Sequence, residues 1–238
     1  MDNKEISEFY DKFSGQQLKT GVNERLISLY KRLLKLGLSK KSNVLELGCG
    51  VGAFTSLLSK KVKKGKIEAV DLSPKSIESA KSALPEININ FETVDVVTYI
   101  PKLKNIDFVT LMDVIEHIPL EMHEELFSNI SSYISEKTLL AINIPSPEYI
   151  DYVRKNNADK LQIIDQCVEL PFIIKNLESA GLEMIYFEKY NIWEQDDYQF
   201  MVIRKKRDYQ LIHISDKRNK TQKAIHKINK SVDQLRFK

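Results

Sequence analysis

Short apolar runs alternate with amphipathic segments along the first 204 residues, and this alternation constrains the fold more than any other feature. The strand-like runs are residues 43–47, 66–70, 87–94, 106–112 and 138–144. Alternation of strands with helical patterns predicts a mostly parallel sheet with helices on both faces. Two further runs, 183–190 and 198–204, have no helix between them. They predict a hairpin that brings one antiparallel strand into the sheet.

These patterns predict an α/β chain in three parts. Residues 1–40 are expected to form an N-terminal helical cap, residues 41–204 a doubly wound, seven-stranded domain, and residues 205–238 a helical tail. The first residues are polar and acidic, unlike a secretory signal. No apolar run approaches the roughly 20 residues that span a bilayer. The two cysteines indicate no disulfide framework, so we expect a cytoplasmic protein.

The expected tail differs from the rest of the chain in charge. The whole chain carries +3, but residues 205–238 hold eleven Lys or Arg and three Asp, which leaves −5 for the remainder. Apolar residues recur at heptad spacing over residues 211–235, which predicts a short coiled coil and a homodimer. Contact of the basic flanks with an anionic membrane or with nucleic acid is the alternative. Nucleic acid is the weaker choice, because the tail lacks interleaved aromatic residues.

A glycine-rich loop follows the first predicted strand and opens a helix. Gly48, Gly50 and Gly52 are preceded by the acidic residue Glu46. Glycine permits positive φ and lets a ligand approach the backbone closely. Dehydrogenases bind dinucleotides with a related G-x-G-x-x-G loop at the same place. The loop by itself therefore predicts a nucleotide-type cofactor beyond the carboxyl ends of the strands.

Acidic residues stand at the ends of the next two strands. Asp71 ends the second strand, where a carboxylate can accept both hydroxyls of an adenosine ribose. We expect Ser73, followed by Pro74, to cap the next helix, which leaves Asp71 free for a ligand. Asp95 ends the third strand, where it could accept from an adenine amino group while Val96 packs on the ring.

The order and spacing of four stretches resemble those of class I methyltransferases that depend on S-adenosylmethionine (SAM): VLELGCGVGAFT, IEAVDLSP, ETVDVV and FVTLMDVIEHIP. The resemblance covers roughly residues 5–204 and implies a Rossmann-like fold with SAM as methyl donor. It implies that the glycine loop and its acid hold the methionine part, and that the next two strand ends hold the ribose and the adenine. The cofactor residues expected in this way are Tyr10, Glu46, Gly48, Cys49, Gly50, Asp71, Leu72, Asp95, Val96 and Met112.

Candidate catalytic residues follow the fourth strand. A hydroxyl acceptor must lose its proton to a base or to a metal-assisted step. His117, beside Glu116, is the expected base because imidazole titrates near neutrality. Asp113, Glu116 and His117 also resemble the E-x-x-E-H motif of small-RNA 3′-end ribose 2′-O-methyltransferases, which implies a divalent metal at these three residues. The later His of that family corresponds to Gln166 here, so the metal set is incomplete.

The acceptor side is expected after the fifth strand, where residues 148–166 are expected to be irregular and polar. Tyr149, Tyr152, Arg154 and Gln162 offer hydrogen bonds and stacking faces that suit a polyhydroxylated ligand. The segment 149–166 resembles methyltransferases linked to bacterial surface-glycan synthesis. The leading hypothesis is therefore O-methylation of a sugar or surface-glycan hydroxyl. An RNA ribose 2′-O-methyltransferase is one alternative, disfavoured by the acidic body. A SAM-binding partner or scaffold protein without turnover is the other.

Overall fold

The computed structural model of the protein describes residues 11, 15, 17–158, 161–162, 164–209, 211, 216 and 218–236, with the side chains of 231–236 left out. The strands within these residues are β1 (Val44–Leu47), β2 (Ile67–Asp71), β3 (Ile89–Thr93), β4 (Phe108–Met112), β5 (Leu139–Pro145), β6 (Leu182–Tyr190) and β7 (Tyr198–Lys205). The α-helices are α1 (Glu24–Lys35), α2 (Ala53–Lys61), α3 (Pro74–Ala83), α4 (His123–Tyr133), α5 (Pro147–Asn156), α6 (Leu170–Ser179) and α7 (Lys220–Arg236).

The seven strands form one sheet in the order β3-β2-β1-β4-β5-β7-β6. Strands β1 to β5 pair in parallel, and β7 pairs antiparallel with both β5 and β6. The predicted α/β architecture with one antiparallel strand in a C-terminal hairpin is therefore confirmed. The parallel order places the carboxyl ends of β1, β2 and β4 side by side at one edge, where such sheets bind ligands.

Helices cover both faces of the sheet. On one face, Phe127 of α4 and Ile173 of α6 belong to a buried apolar cluster with the central strands. On the other face, Leu29 of α1, Leu58 of α2 and Ile77 of α3 belong to a second buried cluster. All five residues of β4 are buried, as expected for a central parallel strand that is covered on both sides.

Two local expectations need correction. Residues 148–166 were expected to be irregular, but α5 occupies the first part of that segment. Ser146 caps α5 by accepting a hydrogen bond from the Tyr149 amide, and Pro147 opens it, the same device that Ser73 and Pro74 use for α3. The N-terminal helical pattern is also interrupted before α1, which begins after Asn23, whose side chain accepts from the Leu26 amide.

The C-terminal residues form a compact unit of their own. The chain divides into Met1–Lys206 and Arg207–Lys238. Helix α7 carries Ile225 and Ile228, which are 54% and 63% exposed. The other heptad members at 214, 232 and 235 have side chains outside the described residues. Within the described residues, no helix combines the length and apolar character needed to cross a membrane.

Candidate active site

One cavity of about 580 Å³ opens at the carboxyl edge of the sheet. Its walls come from the glycine loop, the ends of β2 and β4, residues 95–97, helix α5, and the segment around residue 162. Trp193 and Tyr198, from the β6–β7 hairpin, also line it. This volume lies within the roughly 300–1,000 Å³ of typical small-molecule sites. The sheet therefore supplies a single space for the expected cofactor and acceptor residues.

The glycine loop is shaped so that only glycine fits at its start. Gly48 has φ of 76°, and a Cβ there would lie 2.4 Å from Cγ2 of Val114. Gly50 has φ of 53°, and the side-chain amide of Gln17, from the segment before α1, lies against it. Positive φ is strained for residues with a side chain. Gly48 and Gly50 consequently line the cavity without a side chain of their own.

Glu46 lies at the end of β1 beneath this loop. Its side chain is buried and accepts a hydrogen bond from Thr55 Oγ1 at 2.7 Å. Burial raises the pKa of Glu46 from 4.5 to about 8, although the Thr55 hydrogen bond opposes the shift. Such a carboxyl group would be stabilised in its charged form by a cationic ligand group, for example an ammonium.

Asp71 bridges the glycine loop and helix α3. Its Oδ2 accepts from the Gly50 amide at 2.7 Å, and its Oδ1 accepts from the Ser73 amide at 2.9 Å. Burial raises the pKa of Asp71, and these backbone hydrogen bonds lower it. As expected, the hydroxyl of Ser73 caps α3 by accepting from the Ser76 amide at 3.1 Å. Asp71 is thus held at the cavity wall beside Leu72, which also lines the cavity.

The remaining cofactor candidates within the described residues also reach this cavity. Asp95 lines it and accepts a hydrogen bond from the Val97 amide at 2.9 Å. Val96 and Met112 line it with largely buried apolar side chains, and so does Cys49. Tyr10 lies outside the described residues. Glycine backbone, two buried carboxyl groups and an apolar wall together fit an adenosyl group joined to an amino acid.

Asp113 does not join Glu116 and His117 as a metal ligand. It has φ of 58°, its Oδ2 forms an ion pair with Arg25 Nη2 at 2.6 Å, and its Oδ1 accepts from Asn143 Nδ2 at 2.8 Å. Among the described residues, no group of three or more His, Cys, Asp or Glu is arranged to hold a metal ion. The residues therefore do not fit the metal that the E-x-x-E-H likeness implies.

Sequence reasoning missed Arg25, which α1 brings to the cavity wall. Its Nη1 donates to the Tyr198 hydroxyl at 2.8 Å. Its guanidinium carbon lies 5.3 Å from the centre of the Tyr198 ring and 5.9 Å from that of Trp193. These aromatic contacts and the Asp113 pair fix the guanidinium in place. No local pattern links residues so far apart in the chain, so only the tertiary structure reveals this group.

His117 sits in the turn Ile115–His117 after β4, between two acidic side chains. Its Nδ1 lies 3.2 Å from Asp165 Oδ1, and the same nitrogen contacts the carbonyl of Ile164. Its Nε2 lies 3.9 Å from Oε1 of Glu116. Burial alone lowers the pKa of His117, but Glu116 and Asp165 outweigh it and raise the pKa. An imidazole held at Nδ1 by an acid keeps Nε2 for proton exchange.

Only two of the four expected acceptor residues reach the cavity. Tyr149 and Gln162 line it. Tyr152 is 60% exposed, and Arg154 instead pairs with Asp151 at 2.9 Å. The face of α5 that lines the cavity carries Tyr149, Ile150 and Val153, and Val153 follows Tyr149 by four residues, about one helical turn. Helix α5 therefore presents Tyr149 and turns Tyr152 and Arg154 away, so we do not carry those two into the proposed acceptor site.

Comparison with known proteins agrees with this arrangement. Malonyl-(acyl-carrier protein) O-methyltransferase 1 of Ilyobacter polytropus is 41% identical over 69 residues, which cover 29% of this chain and 26% of that protein. Trans-aconitate 2-methyltransferase of Escherichia fergusonii is 31% identical over 122 residues, which cover 51% of this chain and 46% of that protein. The chain thus spans less than half the length of these curated relatives.

A similar fold occurs in magnesium protoporphyrin IX methyltransferase from Synechocystis PCC 6803 with bound SAH. The TM-score is 0.67 at 17% identity, over 86% of this chain and 100% of that chain. At this identity the likeness concerns the fold alone. The sequence model of the methyltransferase domain family matches residues 18–213, well over half of the chain. With the glycine loop, the acidic strand ends and the sheet order in place, the chain belongs to the methyltransferase domain family.

Proposed function

We propose that the protein is a SAM-dependent O-methyltransferase that methylates a hydroxyl of a small polyhydroxylated molecule, such as a sugar or a glycan unit. The observation that carries this proposal is the His117–Asp165 pair, 3.2 Å apart, which lines the same cavity as the glycine loop. A base next to the expected cofactor site is what hydroxyl methylation requires.

The division of roles follows from the positions of the side chains. SAM supplies an electrophilic methyl group on a sulfonium. Glu46 is suited to its ammonium and Asp71 to its ribose hydroxyls, because both carboxyl groups lie at the cavity beside the glycine backbone. His117 takes the acceptor proton at Nε2, while Asp165 orients the ring through Nδ1.

The lining beyond the cofactor residues supports a polar acceptor. Tyr149, Gln162 and Trp193 supply hydroxyl, amide and indole groups to the cavity wall. Rings of this kind combine an apolar face with a polar edge, and a sugar has the same combination. RNA is less well supported, because the chain outside the basic tail carries −5 and phosphate binding favours a basic face.

A carboxylate acceptor is the second candidate. The relatives are named for malonyl and trans-aconitate, and both of these compounds carry carboxylate groups. Arg25, at the cavity wall, is a cation that could pair with such a group. A carboxylate is already ionised at neutral pH, so its methylation needs no base.

The pH dependence of turnover separates the two candidates. Because the pKa of His117 is raised, its imidazole is protonated at neutral pH and becomes a base only as the pH rises further. Turnover of a hydroxyl acceptor should therefore increase with pH above neutrality. Asp165→Asn should lower the pKa of His117 and move that increase to lower pH. A carboxylate acceptor should show no such increase.

Binding and transfer experiments test the proposal directly. Calorimetry with SAH should give a binding signal that Asp71→Ala abolishes. Methyl-labelled SAM should then deliver label to members of a panel of glycosides and not to RNA or to tricarboxylic acids. Label in RNA would favour the ribose methyltransferase alternative, and label in the acids would favour the carboxylate candidate. SAH binding with no transfer to any of them would favour a scaffold protein.

We also propose that helix α7 pairs with a second copy of the chain. Ile225 and Ile228 are exposed. When these two residues are placed at the core positions of a heptad, the positions that flank the core hold uncharged residues. Lys223, Lys227 and Lys230 fall on the opposite side. Two such helices can therefore approach without placing like charges along the contact. A membrane-bound helix would instead profit from lysines at the edges of its apolar stripe.

Light scattering tests this pairing. The chain should have the mass of a dimer, Ile228→Asp should have the mass of a monomer, and the matched control Lys227→Asp should remain a dimer. A wild-type chain that is monomeric at 100 μM, at ionic strengths on the order of 0.1 M, would refute the pairing.

A further inference from the structure

Glu116 is the one buried glutamate at this cavity whose carboxyl group lacks a hydrogen-bond donor among the described residues. It is 1% exposed, it lines the cavity, and neither Oε1 nor Oε2 has a hydrogen-bond partner there. Its nearest charged neighbour is the His117 ring at 3.9 Å. Buried polar atoms are bonded in the great majority of cases, so this pair of oxygens calls for an explanation.

The other buried glutamates provide the comparison. Glu46 accepts from Thr55 Oγ1. Glu68 accepts from the Tyr99 hydroxyl and from two backbone amides. Burial of a carboxyl group without a donor is costly, and in these two cases the chain supplies one. At Glu116 no described residue supplies a donor, and the residue lines the cavity, so a ligand in the cavity is a source from which a donor could come.

The position of Glu116 is fixed by its surroundings. Its backbone carbonyl accepts from the Gln166 amide at 3.0 Å, and Gln166 Nε2 donates to the Ile118 carbonyl at 2.6 Å. The segment carrying Asp165 is thereby tied to the turn that carries His117. Glu116 Oε1 and His117 Nε2 lie 3.9 Å apart in two residues that line the cavity, and Nε2 is an acceptor once His117 has lost its proton.

We propose that these two atoms receive neighbouring hydroxyls of one acceptor, so that the enzyme selects a vicinal diol and methylates the hydroxyl that faces His117. This inference rests on the proposed function. In the reaction the acceptor O–H bond breaks and its proton goes to His117 Nε2. A new O–CH₃ bond forms as the sulfonium S–CH₃ bond breaks, and the electron pair of that bond remains on sulfur, which leaves as the neutral thioether SAH. Glu116 accepts a hydrogen bond from the second hydroxyl throughout and takes no proton.

Arginine and acid groups around the pair are consistent with a neutral acceptor. Asp113 forms an ion pair with Arg25 at 2.6 Å, and Asp165 lies 3.2 Å from the His117 ring. Each of these two cations thus already has an aspartate as its partner, and Glu116 adds no positive charge that would attract an anionic acceptor. A diol adds hydrogen-bond donors and acceptors without adding charge.

Matched acceptors test the inference. A glycoside that the wild-type enzyme methylates is compared with its deoxy analogue lacking the neighbouring hydroxyl. The deoxy analogue should lose about 10- to 100-fold in kcat/KM, the range for a buried acceptor that is left without its donor. Glu116→Ala should bring the two acceptors to similar kcat/KM values, because the hydroxyl then has no partner. Glu121→Ala, an exposed glutamate five residues along the chain, is the control and should keep the full difference.

Two outcomes would overturn the inference. Equal kcat/KM for the diol and the deoxy acceptor in the wild-type enzyme would refute it while leaving O-methylation of hydroxyls intact. An undiminished preference for the diol in Glu116→Ala would do the same. SAH calorimetry checks that the variant is folded, and Glu116→Gln provides a second variant if Ala is unstable. Failure to methylate any hydroxyl acceptor would instead refute the proposed function, and this inference would fall with it.

Discussion

Replacing Glu46 by Gln should stabilise the free protein and weaken its affinity for SAH. Glu46 is 3% exposed, and Thr55 Oγ1 donates its only hydrogen bond among the described residues. Burial raises the pKa of Glu46 from 4.5 to about 8, which means that ionisation is unfavourable in the folded chain. Glutamine keeps the shape and an acceptor for Thr55 but carries no charge.

The size of the effect follows from the pKa difference. A carboxyl group whose pKa is higher in the folded than in the unfolded chain lowers the free energy of unfolding when it ionises. This cost is absent below the unfolded pKa and grows as the pH rises to the folded pKa. The difference between 4.5 and about 8 corresponds to roughly 5 kcal/mol when the group is ionised in both states. At pH 7 the folded carboxyl is still mostly protonated, so the destabilisation that Gln removes is about 3 kcal/mol.

Urea unfolding of wild type and Glu46→Gln at pH 5, 7 and 9 measures this gain. It should grow from about 1 kcal/mol at pH 5 to about 3 kcal/mol at pH 7. Affinity for SAH should fall about 10- to 100-fold, because the ammonium loses a charged partner. Glu68→Gln is the matched control and should destabilise, since Glu68 accepts three hydrogen bonds. A gain at Glu46 that does not grow with pH would refute the reasoning.

Three further substitutions test other parts of the site. Gly48→Ala should destabilise the protein by about 1–3 kcal/mol and reduce SAH binding, because the new Cβ would meet Val114. Thermal unfolding measures the stability and calorimetry measures the binding. An unchanged melting temperature would contradict the expected clash with Val114. Asp113→Asn should leave Arg25 without its counter-charge and cost about 1–3 kcal/mol in urea unfolding, between exposed and buried pairs, because the two side chains are 22% and 12% exposed. A loss below about 0.5 kcal/mol, on the scale of exposed pairs, would show that the pair is solvated. Ser73→Ala should cost about 1 kcal/mol through loss of the α3 cap, and Ser73→Asn should restore it.

The cofactor half of the site was accessible from the sequence because its residues follow strands. Glu46, Asp71 and Asp95 each stand at a strand end, and parallel strands bring such ends to one edge of the sheet. Glycine spacing and acid positions are therefore read from short windows, and all three acids line the same cavity. Their assignment to the parts of SAM remains a prediction.

The acceptor half was less accessible for a physical reason. Helix α5 was missed, although Ser146 and Pro147 repeat the cap that had been recognised at α3 and Ile150 and Val153 form a buried face after it. Arg25 could not be found, because its partners Asp113 and Tyr198 come from a strand end and a hairpin far along the chain. The placement of Asp165 against His117 likewise depends on how the segment after α5 folds back.

The sequence alone determined the sheet, its C-terminal hairpin and the glycine loop, because periodicity, capping residues and strand ends are local properties that survive whatever surrounds them. Only the tertiary structure decided which side chains meet across the cavity: that Asp113 pairs with Arg25, that Asp165 holds His117, and that Glu116 is buried without a hydrogen-bond donor among the described residues. Those contacts join residues from separate elements, and their geometry is set by the packing of the whole domain.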